Sequence, residues 1–265
     1  MRIYACVKQV PANNETRLDP VTGTLIREGS PGVLNPLDAY AVEQALRLKE
    51  QYGGEVSALS MGVPGVRDML RRVVALGVDR GILLTDRAFA GSDTLATARV
   101  LAAAVNKCGM PDLVLCGRVA SDGDTAQVGP MLAECLGIPH VSDVACIEEI
   151  ARGEARVRRL GDRGYHSLRV RLPALFTVLK EICVPRLPSI TGVLRGEKAA
   201  IAVWGRADLG SLEGGVGLKG SNTRVLRSHR PDLRVKTRAV AGARDLMDIL
   251  REENLIAEDR VRGDI

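Results

Sequence analysis

Leu113-Val-Leu-Cys-Gly-Arg-Val-Ala-Ser-Asp-Gly-Asp-Thr-Ala-Gln-Val-Gly-Pro130 is the stretch on which the fold turns. Leu113 to Cys116 is a short apolar run of the kind that forms a buried strand. From Gly117 the chain turns polar and glycine-rich, and from about Thr125 helix formers resume, with Met131-Leu-Ala-Glu-Cys-Leu behind them. Strand, small-residue loop and helix start are the parts of an anion site. The first N-H groups of the helix have no intrahelical partner, and the positive end of its dipole faces the loop. Such backbone suits a phosphate or pyrophosphate, and it also suits an ordinary α/β connection.

The chain on either side repeats the pattern. Ile3 to Val7 reads as a first strand running into Lys8-Gln9-Val10-Pro11. Asn13 to Ser30 reads as a surface hairpin turning at Asp19-Pro-Val-Thr-Gly-Thr24. Asn35-Pro36-Leu37-Asp38 opens a helix, since Pro36 in the first turn loses no hydrogen bond. Glu55 to Met61, Gly81 to Leu84 and Pro111 to Cys116 are the next three strands, each followed by a helix. Four alternations with long crossovers predict a doubly wound, mostly parallel α/β sheet of Rossmann-like type, with strand order near 3-2-1-4. The switch point then lies between strands one and four, where the loops Cys6–Pro11 and Arg118–Gln127 face each other.

After Pro139 four strand-like runs follow, Val144 to Ile150, Glu154 to Leu160, Tyr165 to Leu172 and Ala174 to Val178. They predict an antiparallel meander extending one sheet edge. Val184-Pro-Arg-Leu-Pro-Ser-Ile190 reads as an exposed loop before a short helix and a strand ending at Trp204. Gly205 to Asn222 reads as a linker, Arg224 to Val240 as an extended basic arm, and Ala243 to Glu253 as a last helix. The expected division is an α/β nucleotide-binding domain over 1–205 and a tail over 206–265 that needs a partner's surface.

Composition limits the function classes. The 265 residues are 46% hydrophobic but only 3% aromatic, so the core must be Val, Leu, Ile and Ala. The net charge of +5 is dispersed except for Arg224 to Arg238, which lacks the interleaved aromatics of a nucleic-acid stripe and fits an arm lying on a protein. The six cysteines form no CxxC pair and the three histidines are far apart, so no metal site is expected. Met1-Arg-Ile-Tyr-Ala-Cys-Val is no signal peptide, and no run is long enough to cross a membrane. A cytoplasmic protein is expected, without a triad or an acid–base pair.

Gly91-Ser-Asp-Thr-Leu-Ala-Thr97 echoes the first loop. Each loop follows a strand and offers Asp-Thr at a helix start, Asp93-Thr94 in one and Asp124-Thr125 in the other. Capping of helix N-H groups explains either loop alone. Two on successive strands also suit one ligand long enough to touch both. The carboxylates would repel a bare phosphate, so Asp93 and Asp124 serve better as caps or as acceptors for ribose hydroxyls.

Ala5-Cys-Val-Lys-Gln-Val-Pro11, Asn35-Pro36 with Glu43-Gln-Ala-Leu-Arg-Leu-Lys-Glu50, Ala58-Leu-Ser-Met-Gly62 and Asp122-Gly-Asp-Thr-Ala-Gln-Val-Gly-Pro130 together resemble the beta subunit of electron transfer flavoprotein, over nearly the whole chain and in order. The resemblance implies an adenine nucleotide alpha hydrolase-like fold, a heterodimer with an alpha subunit, and electron delivery by flavin. Ordinary members hold AMP in the beta-subunit site. Bifurcating members hold a second FAD there, which accepts a hydride from NADH. One electron then passes through the alpha-subunit FAD to an acyl-CoA-type dehydrogenase, the other to ferredoxin or flavodoxin. The loop Asp86 to Thr97 is similar to the second group.

Carried over, the resemblance puts Cys6, Val7, Lys8, Asn35 and Asp38 at the adenosine end, closed by Met61 and Gly62. It assigns Gly117, Asp122, Gly123, Asp124, Thr125, Gln127 and Val128 to the first loop and its phosphates, and Asp93, Thr94 and Thr97 to the ribityl or flavin side. Leu187, with Pro188 and Ile190, matches the loop that docks partner dehydrogenases, although as a bare sequence it reads as an ordinary loop leucine. Two places depart from the commoner pattern: Arg118-Val-Ala-Ser121 stands where Lys-Gln-Ala-Ile is usual, and Ser142-Asp143 where an aromatic often follows Thr. Two rivals remain, a non-redox subunit with structural AMP and an adenylate sensor of the universal-stress type. The second leaves the meander, the docking loop and the arm unexplained.

Overall fold

The computed structural model describes residues 1–12, 17–18, 25–26, 32–212, 214–226 and 237–256. The chain begins with β1 (Arg2–Cys6) and β2 (Gln9–Pro11), then β3 (Arg17–Leu18), β4 (Leu25–Ile26) and β5 (Gly32–Leu34). β2 pairs antiparallel with β5 and β3 with β4, as a hairpin requires, while the expected turn at Asp19–Thr24 lies outside the described residues. Then α1 (Pro36–Tyr52), β6 (Glu55–Met61), α2 (Val66–Ala75), β7 (Arg80–Leu84), α3 (Thr94–Cys108), β8 (Leu113–Gly117) and α4 (Val128–Leu136) alternate. The second half holds β9 (His140–Ala151), β10 (Glu154–Gly161), β11 (Gly164–Arg171), β12 (Ala174–Val178), α5 (Ile190–Glu197), β13 (Ile201–Trp204), the single turn α6 (Gly217–Gly220) and α7 (Ala243–Glu252).

One nine-stranded sheet runs β11-β10-β9-β12-β8-β1-β6-β7-β13. Its parallel centre, β7-β6-β1-β8, has the predicted order 3-2-1-4, with the switch point between β1 and β8. Alternating residues of β1 show the double winding. Ile3 and Ala5 face α1 and α2 in one core, while Tyr4 and Cys6 face α3 and α4 in the other. Each fully buried Leu, Ile or Val contributes about 1.5–3 kcal/mol. Tyr4 and Phe176 are the only aromatics among the largest fully buried side chains, so aliphatic interdigitation supplies the core.

Two expectations need correction. Only β9, β10 and β11 form the antiparallel meander. β12 lies inside the sheet, parallel to both β8 and β9. The reason is its composition: all five residues of Ala174-Leu-Phe-Thr-Val178 are buried, whereas a strand with one wet face alternates.

The first compact unit also runs further than residue 205, spanning Met1–Arg227, with Ser228–Ile265 as a second unit. Part of the expected linker is packed. Leu209 and Leu212 are buried with α3 residues, and Leu218 N donates to Ala90 O at 3.0 Å. Gly217, at φ +63, lies so close to the chain that a Cβ would come within 2.2 Å of Ala88 O. Glycine here serves close approach rather than flexibility. The basic arm lies mostly outside the described residues. In the second unit α7 buries Ile249 and leaves Leu246 and Met247 exposed. Among the described residues no helix is long and apolar enough to cross a membrane.

Candidate functional site

At the switch point a polar network ties the ends of β1 and β8 to the start of α1. Asn35 stands at the N-cap but does not cap; its side chain turns to the β8 loop. Its Nδ2 donates to Val119 O at 2.8 Å, and its Oδ1 accepts from Ser121 N at 3.1 Å. Asn35 is fully buried, so without these two bonds its amide would be left unsatisfied. Asp38, one turn on and also buried, accepts from Lys8 N at 2.7 Å and from the Gly117 backbone. Burial pushes its carboxyl up to about 7, against the opposing pull of Asn35, Lys8 and Gly117. Gly117 sits against this turn so tightly that a Cβ would meet Asp38 Oδ1 at 2.4 Å and Leu37 C at 2.7 Å.

Above the network Lys8 Nζ reaches Asp122 Oδ1 at 2.6 Å, bridging the two switch-point loops. The loop that follows is open: Gly123 to Gln127 are exposed, and Asp124 (φ 47) and Ala126 (φ 55) take left-handed conformations. These two non-glycine residues at positive φ are uncommon and hold the loop in a fixed curl. α4 then begins at Val128 with no side-chain cap from Gln127. Its leading N-H groups therefore lack the side-chain partner that α3 has.

α3 is the contrast. Asp93 caps it through Ala96 N to Oδ1 at 2.9 Å, and its other oxygen accepts from Thr223 N at 2.9 Å and Thr223 Oγ1 at 3.0 Å. Ser221 Oγ accepts from Asp93 N at 2.8 Å. Desolvation raises the Asp93 carboxyl, but the donors from Ala96, Thr223 and Asn222 outweigh it and hold it below the usual range. Asp93 thus caps the helix and fastens the Ser221–Thr223 segment. The two loops nevertheless meet, since Thr94 Oγ1 lies 2.9 Å from Gln127 Oε1.

The fold gathers the expected residues at one edge of the sheet but gives them unequal parts. Lys8, Asp122, Gly123, Asp124, Thr125, Gln127, Val128, Thr94 and Thr97 are open or partly open there. Met61 and Gly62 end the neighbouring β6, with Gly62 N bonded to Leu84 O. Cys6 and Val7 bury their side chains in opposite cores, so only their backbone is left to serve a ligand. Asn35 and Asp38 hold backbone rather than line a cavity. The departures at Arg118 and Asp143 are spatial partners: Arg118 Nε lies 3.1 Å from Asp143 Oδ1, with Arg159 4.0 Å from the other oxygen. Asp143 takes φ 59 where the pairing of β9 with β12 shifts register. Thr223 and Ser221 were hidden by their glycine-rich context, although a Ser-Asn-Thr cluster is a capping signal.

Leu187, Ile190 and Val184 are strongly exposed, Leu187 at 89%. Lone exposed apolar residues are ordinary; these three fall within seven residues of one another.

Comparison with known proteins identifies the family. Residues 22–209 match the electron transfer flavoprotein domain. Electron transfer flavoprotein subunit beta of Thermoanaerobacterium thermosaccharolyticum is 46% identical over 88% of this chain and 89% of its own length. Caffeyl-CoA reductase-Etf complex subunit CarD of Acetobacterium woodii is 43% identical over 97% of this chain and all of its own. Acryloyl-CoA reductase electron transfer subunit gamma of Anaerotignum propionicum is 38% identical, again over 97% and all of its own. With a largely parallel sheet whose switch point carries an open loop, and with relatives matched nearly end to end, this chain belongs to the electron transfer flavoprotein family as a beta subunit working in electron transfer.

Proposed function

We propose that this chain is the beta subunit of an electron-bifurcating heterodimer, cytoplasmic, with FAD at the β1/β8 switch point and NADH as donor. The observation that carries the reading is the meeting of two loops, Thr94 with Gln127. A ligand bound at α4 therefore extends naturally toward α3, which suits a dinucleotide better than a mononucleotide. The donor set fits such a group: the uncapped start of α4, the backbone of Gly123 to Ala126, the Lys8 ammonium, and the hydroxyls of Thr94, Thr97 and Thr125. When bound, FAD supplies the hydride-accepting and one-electron chemistry; the protein binds, orients and sets its surroundings.

Lys8 offsets phosphate charge beside Asp122, and the buried Asn35–Asp38 network keeps both loops at fixed separation. Leu187, Pro188 and Ile190 would dock an acyl-CoA-type dehydrogenase, the acceptor reached through the alpha-subunit FAD, and ferredoxin or flavodoxin would be the second acceptor. The exposed apolar residues of α7 and the basic arm suit packing on the alpha subunit. The relatives that serve caffeyl-CoA and acryloyl-CoA reductases support a partner of that general type.

One observation favours a second reading. Both Asp93 oxygens are engaged within the protein, which leaves α4 as the open helix start, and one such cradle suffices for AMP. Anaerobic NADH titration of the heterodimer separates the two. Bifurcation predicts NADH-dependent reduction of ferredoxin or flavodoxin only when the dehydrogenase and its oxidised substrate are also present; an AMP-holding subunit gives none with any acceptor.

A further inference from the structure

The loop Val184–Ile190, the proposed docking loop, is tied to α1 at Glu43 and Glu50. Arg186 donates from Nε to Glu43 Oε2 at 2.7 Å and from Nη2 to Glu43 Oε1 at 3.2 Å, a two-point grip. Its Nη1 and Nη2 also reach the two oxygens of Glu50, and its backbone N donates to Glu43 Oε2 at 3.2 Å. Glu43 and Glu50 stand two helical turns apart on one face, the spacing that lets a single guanidinium reach both. Glu43 is only 4% exposed, and Arg47 supports it from the next turn at 2.7 Å.

Both ends of the loop are fixed as well. Cys183 lies 3.5 Å from Tyr40 O on α1. α5 packs so closely on α2 that a Cβ on Gly192 would come within 2.3 Å of Ala75 O, and Arg195 Nη2 bonds Val74 O at 2.7 Å. Ser189 caps α5 through Gly192 N. Between these anchors Arg186 pins the middle, and the next side chain, Leu187, points out at 89% exposure beside Val184 and Ile190. The bonds from the Arg186 backbone and guanidinium to Glu43 and Glu50 fix the chain at the residue before Leu187.

We infer that Arg186 is a positioning residue for dehydrogenase docking: by gripping Glu43 and Glu50 it holds the loop in the shape that presents Leu187, so that the loop is ordered before the partner arrives. The inference rests on the docking role proposed for Leu187. Pre-ordering lowers the entropy that association must overcome, so its loss appears in apparent affinity rather than in turnover.

The test uses the full heterodimer with Arg186→Ala, Arg186→Lys, Leu187→Ala and the double variant Glu43→Gln/Arg186→Leu, which leaves no unpaired buried charge if the single variant folds poorly. Two readouts are compared: amide hydrogen exchange over residues 184–190, and KM and kcat for electron delivery to an acyl-CoA dehydrogenase. The expected result for Arg186→Ala and the double variant is faster exchange and a KM raised about tenfold with kcat unchanged, with Arg186→Lys between them and wild type because it keeps charge but not the fork. Unchanged exchange, or a fall in kcat at constant KM, overturns the positioning role. Faster exchange in Arg186→Ala with a normal KM in Leu187→Ala overturns the docking reading instead and leaves Arg186 a mere loop staple.

Discussion

One helix serves two regions that solve opposite problems. The start of α1 supplies Asn35 and Asp38 to a closed network beneath the switch-point loops, and its later turns supply Glu43 and Glu50 to the loop Val184–Ile190. Asp38 is satisfied by neutral N-H donors and backbone, so burial dominates and its carboxyl rises to about 7. Glu43 is also buried, and desolvation again is the largest influence, but the hydrogen bonds from Arg186 and Arg47 outweigh it and its carboxyl falls. A buried carboxyl beside neutral donors favours its proton; beside a guanidinium it favours its charge. The first arrangement makes a rigid floor. The second makes an electrostatic grip on a surface loop.

The largest effect expected on this contrast comes from Gly117→Ala. Its Cβ would meet the hydrogen-bonded Asp38 Oδ1 and, just behind it, the Leu37–Asp38 peptide bond, which cannot swing aside. A stability loss of about 3 kcal/mol is expected, read by denaturant unfolding, together with loss of bound nucleotide. A loss under about 0.5 kcal/mol would show that the floor is soft.

Asp38→Asn comes next, at about 1–3 kcal/mol, because the amide keeps one acceptor oxygen and turns an NH2 donor toward N-H groups that the carboxyl accepted from. The pH dependence carries the sign. The folded value near 7 lies above the unfolded 3.8, so between these limits the native state holds more protons. Stability from Asp38 is complete below about pH 4 and is lost as pH rises through 7. Glu43 acts oppositely: its contribution is present above the ordinary glutamate range and is lost as pH falls through its lowered value. Melting temperature against pH should therefore lose its decline between about pH 4 and 7 in Asp38→Asn, and lose part of its acid limb in the double variant at Glu43 and Arg186. An identical profile for Asp38→Asn and wild type would contradict the assignment.

The smallest effect is that of Lys8→Met. Its bridge to Asp122 is partly exposed at the lysine end, 40% for the side chain, so at most about 1 kcal/mol of stability is expected to be lost. Nucleotide retention should suffer more than stability, as equilibrium dialysis with FAD and AMP can show. Equal retention would remove Lys8 from the site.

The parallel centre was legible because its strands are apolar on both faces and its helices start and stop on clear signals, Asn35-Pro36 and Gly53-Gly54 among them. β12 was misplaced because the order of strands in a chain does not say where one inserts, although the apolar run Ala174 to Val178 carried the hint. The edge residues of the site were legible in place but not in part: a sequence shows Asn35 and Asp38 near a loop, not that they bond its backbone. Arg186 with Glu43 and Arg118 with Asp143 are separated by 143 and 25 residues, and nothing in local pattern links charges so far apart. Thr223 reaching Asp93 was masked by glycines that read as flexible and act as close contacts.

The central claim is that two loops at the switch point hold FAD rather than AMP. The direct measurement is the flavin and nucleotide content of the purified heterodimer, by absorbance after denaturation and chromatography of the released ligands. The account predicts two FAD and no AMP per heterodimer; one FAD with one AMP would contradict it.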